Sequence, residues 1–254
     1  MKPDDIVSDR MRAPAEQRTF AGREPTGSPD GISTLLVEFV GLPGAGKSTV
    51  ARCLSEAASA DGIPTSRYNL IGYYSPAGER LTRREIRWDR IVSVIGQPGL
   101  ALGVIACAMR EGGGEGLSWM INLCRRNRAA AEIGRGPGLR ILEEGPLNAL
   151  CLAAATRSRP WNLRRALASL NKPDVVVALS VPEDVAMDRI ARRAGVLSDR
   201  PVAQLGTLLH RLDRTLTTML AHVGVPVLSY DTTREPPEGV ARRILGDLAR
   251  TGTP

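Results

Sequence analysis

From about residue 34 onward, short apolar runs alternate with stretches whose apolar residues recur every three or four positions. The apolar runs predict strands at 34–40, 65–70, 139–143, 174–181 and 225–230. The helical periodicity predicts helices at 47–60, 183–194, 202–223 and 237–250. Strands alternating with helices imply a parallel sheet covered on both faces. The run Val175–Val176–Val177–Ala178–Leu179 is apolar without alternation, as a strand buried on both sides should be.

Two regions depart from this rhythm. Residues 1–32 are polar, rich in Pro, Gly, Asp and Arg, and lack the apolar core of a signal peptide. They read as a disordered leader before a domain spanning 33–254. Residues 82–133 are helical in character, broken by Gln97-Pro98-Gly99 and Gly112-Gly113-Gly114. Within them 91–109 is apolar, but its central Pro-Gly leaves two pieces too short to cross a bilayer. Two buried helices, or a lid over an acceptor pocket, are expected there, and no membrane span.

Composition changes little in this picture. Hydrophobic residues make up 43% of the 254 and aromatics 4%, so aliphatic side chains must fill the core. The net charge of +7 is spread without a basic block, so nucleic acid is not an expected partner. The cations are nearly all arginine; the lysines are Lys2, Lys47 and Lys172. Cys53, Cys107, Cys124 and Cys151 show no paired spacing and read as reduced thiols of a cytoplasmic protein. His210 and His222, both in one helix-like stretch, make a His/Cys metal site or a Ser-His-Asp triad a poor fit.

The most informative segment is Gly41-Leu42-Pro43-Gly44-Ala45-Gly46-Lys47-Ser48-Thr49, between a predicted strand and a predicted helix. It satisfies the phosphate-loop pattern. The glycines allow successive N–H groups to turn inward as an anion nest, and the helix directs its positive end at the phosphates. Lys47 is expected to bridge the β and γ phosphates, Ser48 to ligate magnesium, and Thr49 to reach the α-phosphate.

A second strand ends in Glu143-Glu144-Gly145-Pro146. Ligands of open α/β sheets lie beyond the carboxyl ends of the strands, so these acids should face the same crevice. Neighbouring strand residues point to opposite faces, which predicts separate roles: Glu143 at the magnesium or its water, Glu144 at a substrate hydroxyl. Further on, Met187-Asp188-Arg189-Ile190-Ala191-Arg192-Arg193 leads into a short segment carrying Arg200. Arginines placed there could close over the phosphates and neutralise charge in the transition state.

In this order, FVGLPGAGKST, ILEEGPL and VPEDVAMDRIARRAGVLSDR, followed by a long helix and VPVLSYDTT, resemble the P-loop nucleoside and nucleotide kinases, in particular thymidylate-kinase-like proteins. The resemblance covers about 34–248. It implies a three-layer α/β/α fold with a five-stranded parallel sheet of order 2-3-1-4-5, a helical insertion and a lid holding Arg192, Arg193 and Arg200. It also implies ATP and Mg2+ as cofactors, and a small-molecule acceptor. The acceptor side would include Arg87 and Arg90, while Thr232 and Thr233 would border the adenine. Where thymidylate kinases carry an Asp-Arg pair this chain has Glu143-Glu144, so recognition of a substrate phosphate by an arginine at that point is absent. The expectation is therefore an ATP-dependent phosphotransferase acting on a nucleoside, a nucleotide or another hydroxyl metabolite, with a homodimer left open. A P-loop NTPase switch and a non-catalytic nucleotide-binding regulator stand beside it. The chain has no Asn-Lys-x-Asp guanine motif, which disfavours GTP.

Overall fold

The computed structural model describes residues 34–70, 89, 91–97, 99–100, 102, 114–156, 163–192 and 202–251. The leader at 1–32, Cys107 and the candidate site residues Arg87, Arg90, Arg193 and Arg200 lie outside them. β1 (Thr34–Gly41) is the central strand. It pairs in parallel with β3 (Gly138–Leu142) on one side and with β4 (Val175–Ser180) on the other. β2 (Thr65–Tyr68) and β5 (Val227–Asp231) form the edges, giving the order β2-β3-β1-β4-β5. The fold is thus the all-parallel α/β sheet that the alternating pattern predicts, in the order 2-3-1-4-5 that the resemblance implied.

Burial follows position in the sheet. Val37, Phe39 and Val40 of β1 and Val176 and Val177 of β4 have no exposed surface, while β2 is only half-buried. Parallel strands need long crossovers, and helices supply them. α1 (Lys47–Ala60) turns Val50, Cys53, Leu54 and Ala58 inward at helical spacing. It packs against the last helix, numbered α7 below, on one face of the sheet. The other face is covered by α2 (Gly114–Ile133), α3 (Pro146–Ala155) and α6 (Val202–Leu220). Short α4 (Leu163–Ala168) and α5 (Glu183–Ala191) precede and follow β4, and α7 (Pro237–Arg250) ends the described chain.

The boundaries of α1 and α7 match their periodic patterns, and the five strands fall within two residues of expectation at each end. Two helices had no expectation, α3 and α4. In α3 the run PLNALCLAAA is apolar almost all round, because the helix is wedged between α2, α6 and the sheet and has no polar face to betray its period. In the apolar stretch after 90, residues 91–95 are helical; Ser93 and Leu100 are buried and Val94 packs against the core, while Ile91, Val92, Ile95 and Leu102 are exposed. Among the described residues no helix is long and apolar enough to cross a membrane.

Candidate active site

β1 runs into a loop whose backbone is set by left-handed glycines at two points. Gly44 has φ +86 and Gly46 has φ +84, a conformation that other L-residues adopt at a cost. A side chain on Gly44 would also meet the main-chain oxygen of Ala186 in α5, at 2.9 Å. Gly46 caps α1 without a side-chain acceptor, so the first-turn N–H groups of the helix are left to the loop. Those donors and the positive end of α1 make the cradle that a polyphosphate fits.

Lys47 folds back over this loop. Its ammonium donates to the carbonyls of Gly41 (2.9 Å) and Leu42 (3.2 Å), and lies 3.4 Å from Glu144 Oε1. The structure therefore brings together the phosphate-loop lysine and one of the two acids after β3. Ser48 is exposed beside it and Thr49 is half-buried.

The two acids do have different surroundings. Glu143 is buried and forms a 2.5 Å ion pair with Arg67 Nε, from the end of β2. The same arginine donates through Nη1 to the carbonyl of Ser48 at 2.8 Å, which ties Glu143 to the start of α1. Glu144 is a quarter exposed and sits between two cations, with Oε2 3.8 Å from Arg126 Nη1 of α2. Arg126 also donates to the Glu144 carbonyl at 3.2 Å.

Beneath the turn lies a further carboxyl. Glu38, in mid-β1, is fully buried, and its Oε1 accepts from the N–H groups of Leu147 (2.8 Å) and Asn148 (3.1 Å) at the start of α3. Burial pushes its pKa up to about 8, against the lowering effect of those two bonds and of Arg126. Glu38 Oε2 and Arg126 Nε are buried with no hydrogen-bond partner among the described residues. Desolvation likewise lowers the pKa of Arg126 and pushes the thiols of Cys124 and Cys151 up to about 11 and about 12.

On the far side of the loop, Arg189 of α5 donates to the Gly44 carbonyl (3.1 Å) and to Thr232 Oγ1 (3.3 Å) and carbonyl (3.4 Å). It joins the loop to the turn after β5 where Thr232 and Thr233 stand; Thr233 itself bonds Asp231 through N–H and hydroxyl. Arg192 points elsewhere, exposed and paired with Asp188 at 2.6 Å.

Three residues of this arrangement had no role in the sequence reading, Glu38, Arg67 and Arg126, while Arg189 stood in the arginine segment without a role of its own. Glu38 carried a readable signal, being a lone charge in the otherwise apolar run TLLVEFVG. Arg126 had none, since it lies in the irregular 82–133 segment among other arginines.

No family model and no curated protein sequence matches the chain. Among solved structures, a deoxyadenosine kinase from M. mycoides, described with the products dCMP and a flexible dCDP bound, aligns with a TM-score of 0.51 at 14% identity. The alignment covers 84% of this chain and 98% of that one. At that identity the likeness shows the fold alone, the parallel α/β architecture shared with that kinase.

Proposed function

We propose that this chain is an ATP-dependent phosphotransferase that uses magnesium and acts on a small hydroxyl compound, with nucleosides and nucleotides as the first candidates. The observation that carries the reading is the 3.4 Å approach of Lys47, on the phosphate loop of β1, to Glu144, beyond the end of β3. A binder of nucleotides needs the loop alone. A carboxylate of partial exposure beside the loop lysine adds a group that can orient, and accept a proton from, an attacking hydroxyl. The fold shared with a deoxyadenosine kinase supports the same reading.

In this mechanism Lys47 and the loop N–H groups hold the β and γ phosphates of ATP. The Ser48 hydroxyl would hold magnesium together with the phosphates, and the ion would offset charge on the transferring group. Glu143, kept close to the start of α1 through Arg67, would orient a water of that ion. Glu144 faces the acceptor hydroxyl. The bond from the γ-phosphorus to the ADP oxygen breaks, a bond to the acceptor oxygen forms, and the acceptor proton leaves towards Glu144. The proposal keeps Thr232 and Thr233 at the adenine and Arg87 and Arg90 on the acceptor side, and it assigns Arg193 and Arg200 to the phosphates; Arg192 could join them only by leaving Asp188, with which it pairs. The buried, protonated thiols fit a cytoplasmic setting.

ADP release measured with magnesium and ATP, with and without a panel of nucleosides, nucleotides and other hydroxyl metabolites, tests the proposal. Acceptor-dependent release is expected. Release that ignores every acceptor would instead mark a switch, and nucleotide binding without any turnover a regulator. The two acids should also separate: Glu143→Gln is expected to raise the magnesium concentration needed for half-maximal rate, and Glu144→Gln to lower the rate at saturating magnesium. Identical profiles for the two variants would refute the division of roles.

A further inference from the structure

Glu144 is shared between two cations that nucleotide binding would treat differently. The Lys47 ammonium donates to the carbonyls of Gly41 and Leu42 and forms an ion pair with Glu144 Oε1 at 3.4 Å. A triphosphate in the loop needs donors from the same ammonium, so its oxygens compete with the Glu144 carboxylate for Lys47. Like charge sharpens the competition. Arg126 is placed differently. It is buried in α2 and anchored to the Glu144 backbone by a 3.2 Å bond to the carbonyl, so its hold on residue 144 does not depend on where the carboxylate swings. Its Nη1 is 3.8 Å from Oε2, within reach of a closer pairing. The carboxylate itself is a quarter exposed, and so has room to move.

We propose that Glu144 couples the nucleotide to the acceptor: phosphates that take Lys47 release the carboxylate to Arg126, which acts as the positioning residue holding it on the acceptor side. The acceptor side of this inference rests on the phosphotransferase reading above. The exchange of partners does not, since it follows from the three side chains and any polyphosphate. Reciprocity follows by linkage. Whatever the nucleotide does to the placement of Glu144, an acceptor engaging Glu144 does to nucleotide affinity.

The affinity of a non-hydrolysable ATP analogue with magnesium, measured by calorimetry on the full chain, reads the exchange without any turnover. Glu144→Gln removes the competitor for Lys47 and is expected to tighten the analogue about 5-fold. Arg126→Met leaves the carboxylate to Lys47 alone and is expected to weaken it by a similar factor. In the double variant the Arg126 substitution should change affinity by less than about 2-fold, because the group it acts through is gone. If the single effects simply multiply in the double variant, the two charges act independently on the phosphates and the proposal is overturned. It is also overturned if Glu144→Gln fails to tighten binding. Should Arg126→Met lose cooperative unfolding, Arg126→Lys replaces it; the shorter-reaching ammonium gives up the carbonyl anchor, and the same non-additivity is expected. A chain that transfers phosphate but shows multiplicative affinities defeats the exchange and leaves the phosphotransferase reading intact. Non-additive affinities with no transfer to any acceptor support the exchange and defeat that reading.

Discussion

At the scale of single residues the site is a set of charges that answer one another. Lys47 is buried, so Lys47→Ala would remove the proposed phosphate contact while leaving Glu144 beside Arg126. Turnover should fall by about 10²–10³-fold or more, with the circular dichroism spectrum unchanged; normal turnover would sink the loop assignment. Glu38 makes a prediction of a different kind. Its carboxyl has a folded-state pKa of about 8 against an ordinary value of 4.5, so the folded chain holds a proton that the unfolded chain has lost between those two values. Stability from this group is therefore full below about pH 4.5 and declines as pH rises to about 8, then levels off. Glu38→Gln carries the neutral form at every pH. Its melting temperature relative to the native chain should climb from pH 6 to pH 9, and a difference constant over that range would show that Glu38 is ionised in the fold.

At the scale of elements, the turn from β3 into α3 is a tight joint. Gly145 lies so close to Glu38 that an added Cβ would sit 2.5 Å from the carboxyl carbon. Gly145→Ala would push that carboxyl off the N–H groups of Leu147 and Asn148, which it caps. A loss of about 1–3 kcal/mol is expected, read as a drop in melting temperature, and an unchanged melting temperature would mean the turn relaxes freely. The sequence showed this joint only in part. The strand and its acids were legible because Leu139–Leu142 is an apolar run ending in charge. The helix after it was not, because PLNALCLAAA has no polar stripe to set a period. The phosphate loop was legible in full, since its glycines and lysine are dictated by local backbone geometry. Arg67 and Arg126 could not be read in the same way. Their pairing with Glu143 and Glu144 depends on the order of strands and on the seat of α2, which are long-range facts that no local pattern encodes.

For the whole molecule, the β1 loop and the turns after β3 and β5 converge at the carboxyl edge of the sheet, and α1, α2 and α5 each contribute a clasp to that edge. A ligand bound there touches most of the layers at once, so its binding energy should appear as global stability. At 100 times its dissociation constant, the magnesium complex of an ATP analogue should stabilise the chain by about 2.7 kcal/mol. The check is a melting-temperature rise of several degrees that Lys47→Ala abolishes. A rise that survives the substitution would place the nucleotide elsewhere.

The scarcity of lysine has a practical consequence. Among 254 residues the ε-amines are those of Lys2, Lys47 and Lys172; Lys172 is exposed, whereas Lys47 is sealed under its own loop. A mild amine-acylating reagent followed by mass spectrometry should therefore label Lys172 readily and Lys47 slowly. A nucleotide in the loop should slow labelling of the Lys47 peptide further, with Lys172 as the internal reference. The chain carries its own footprinting probe, with no tag or engineered residue.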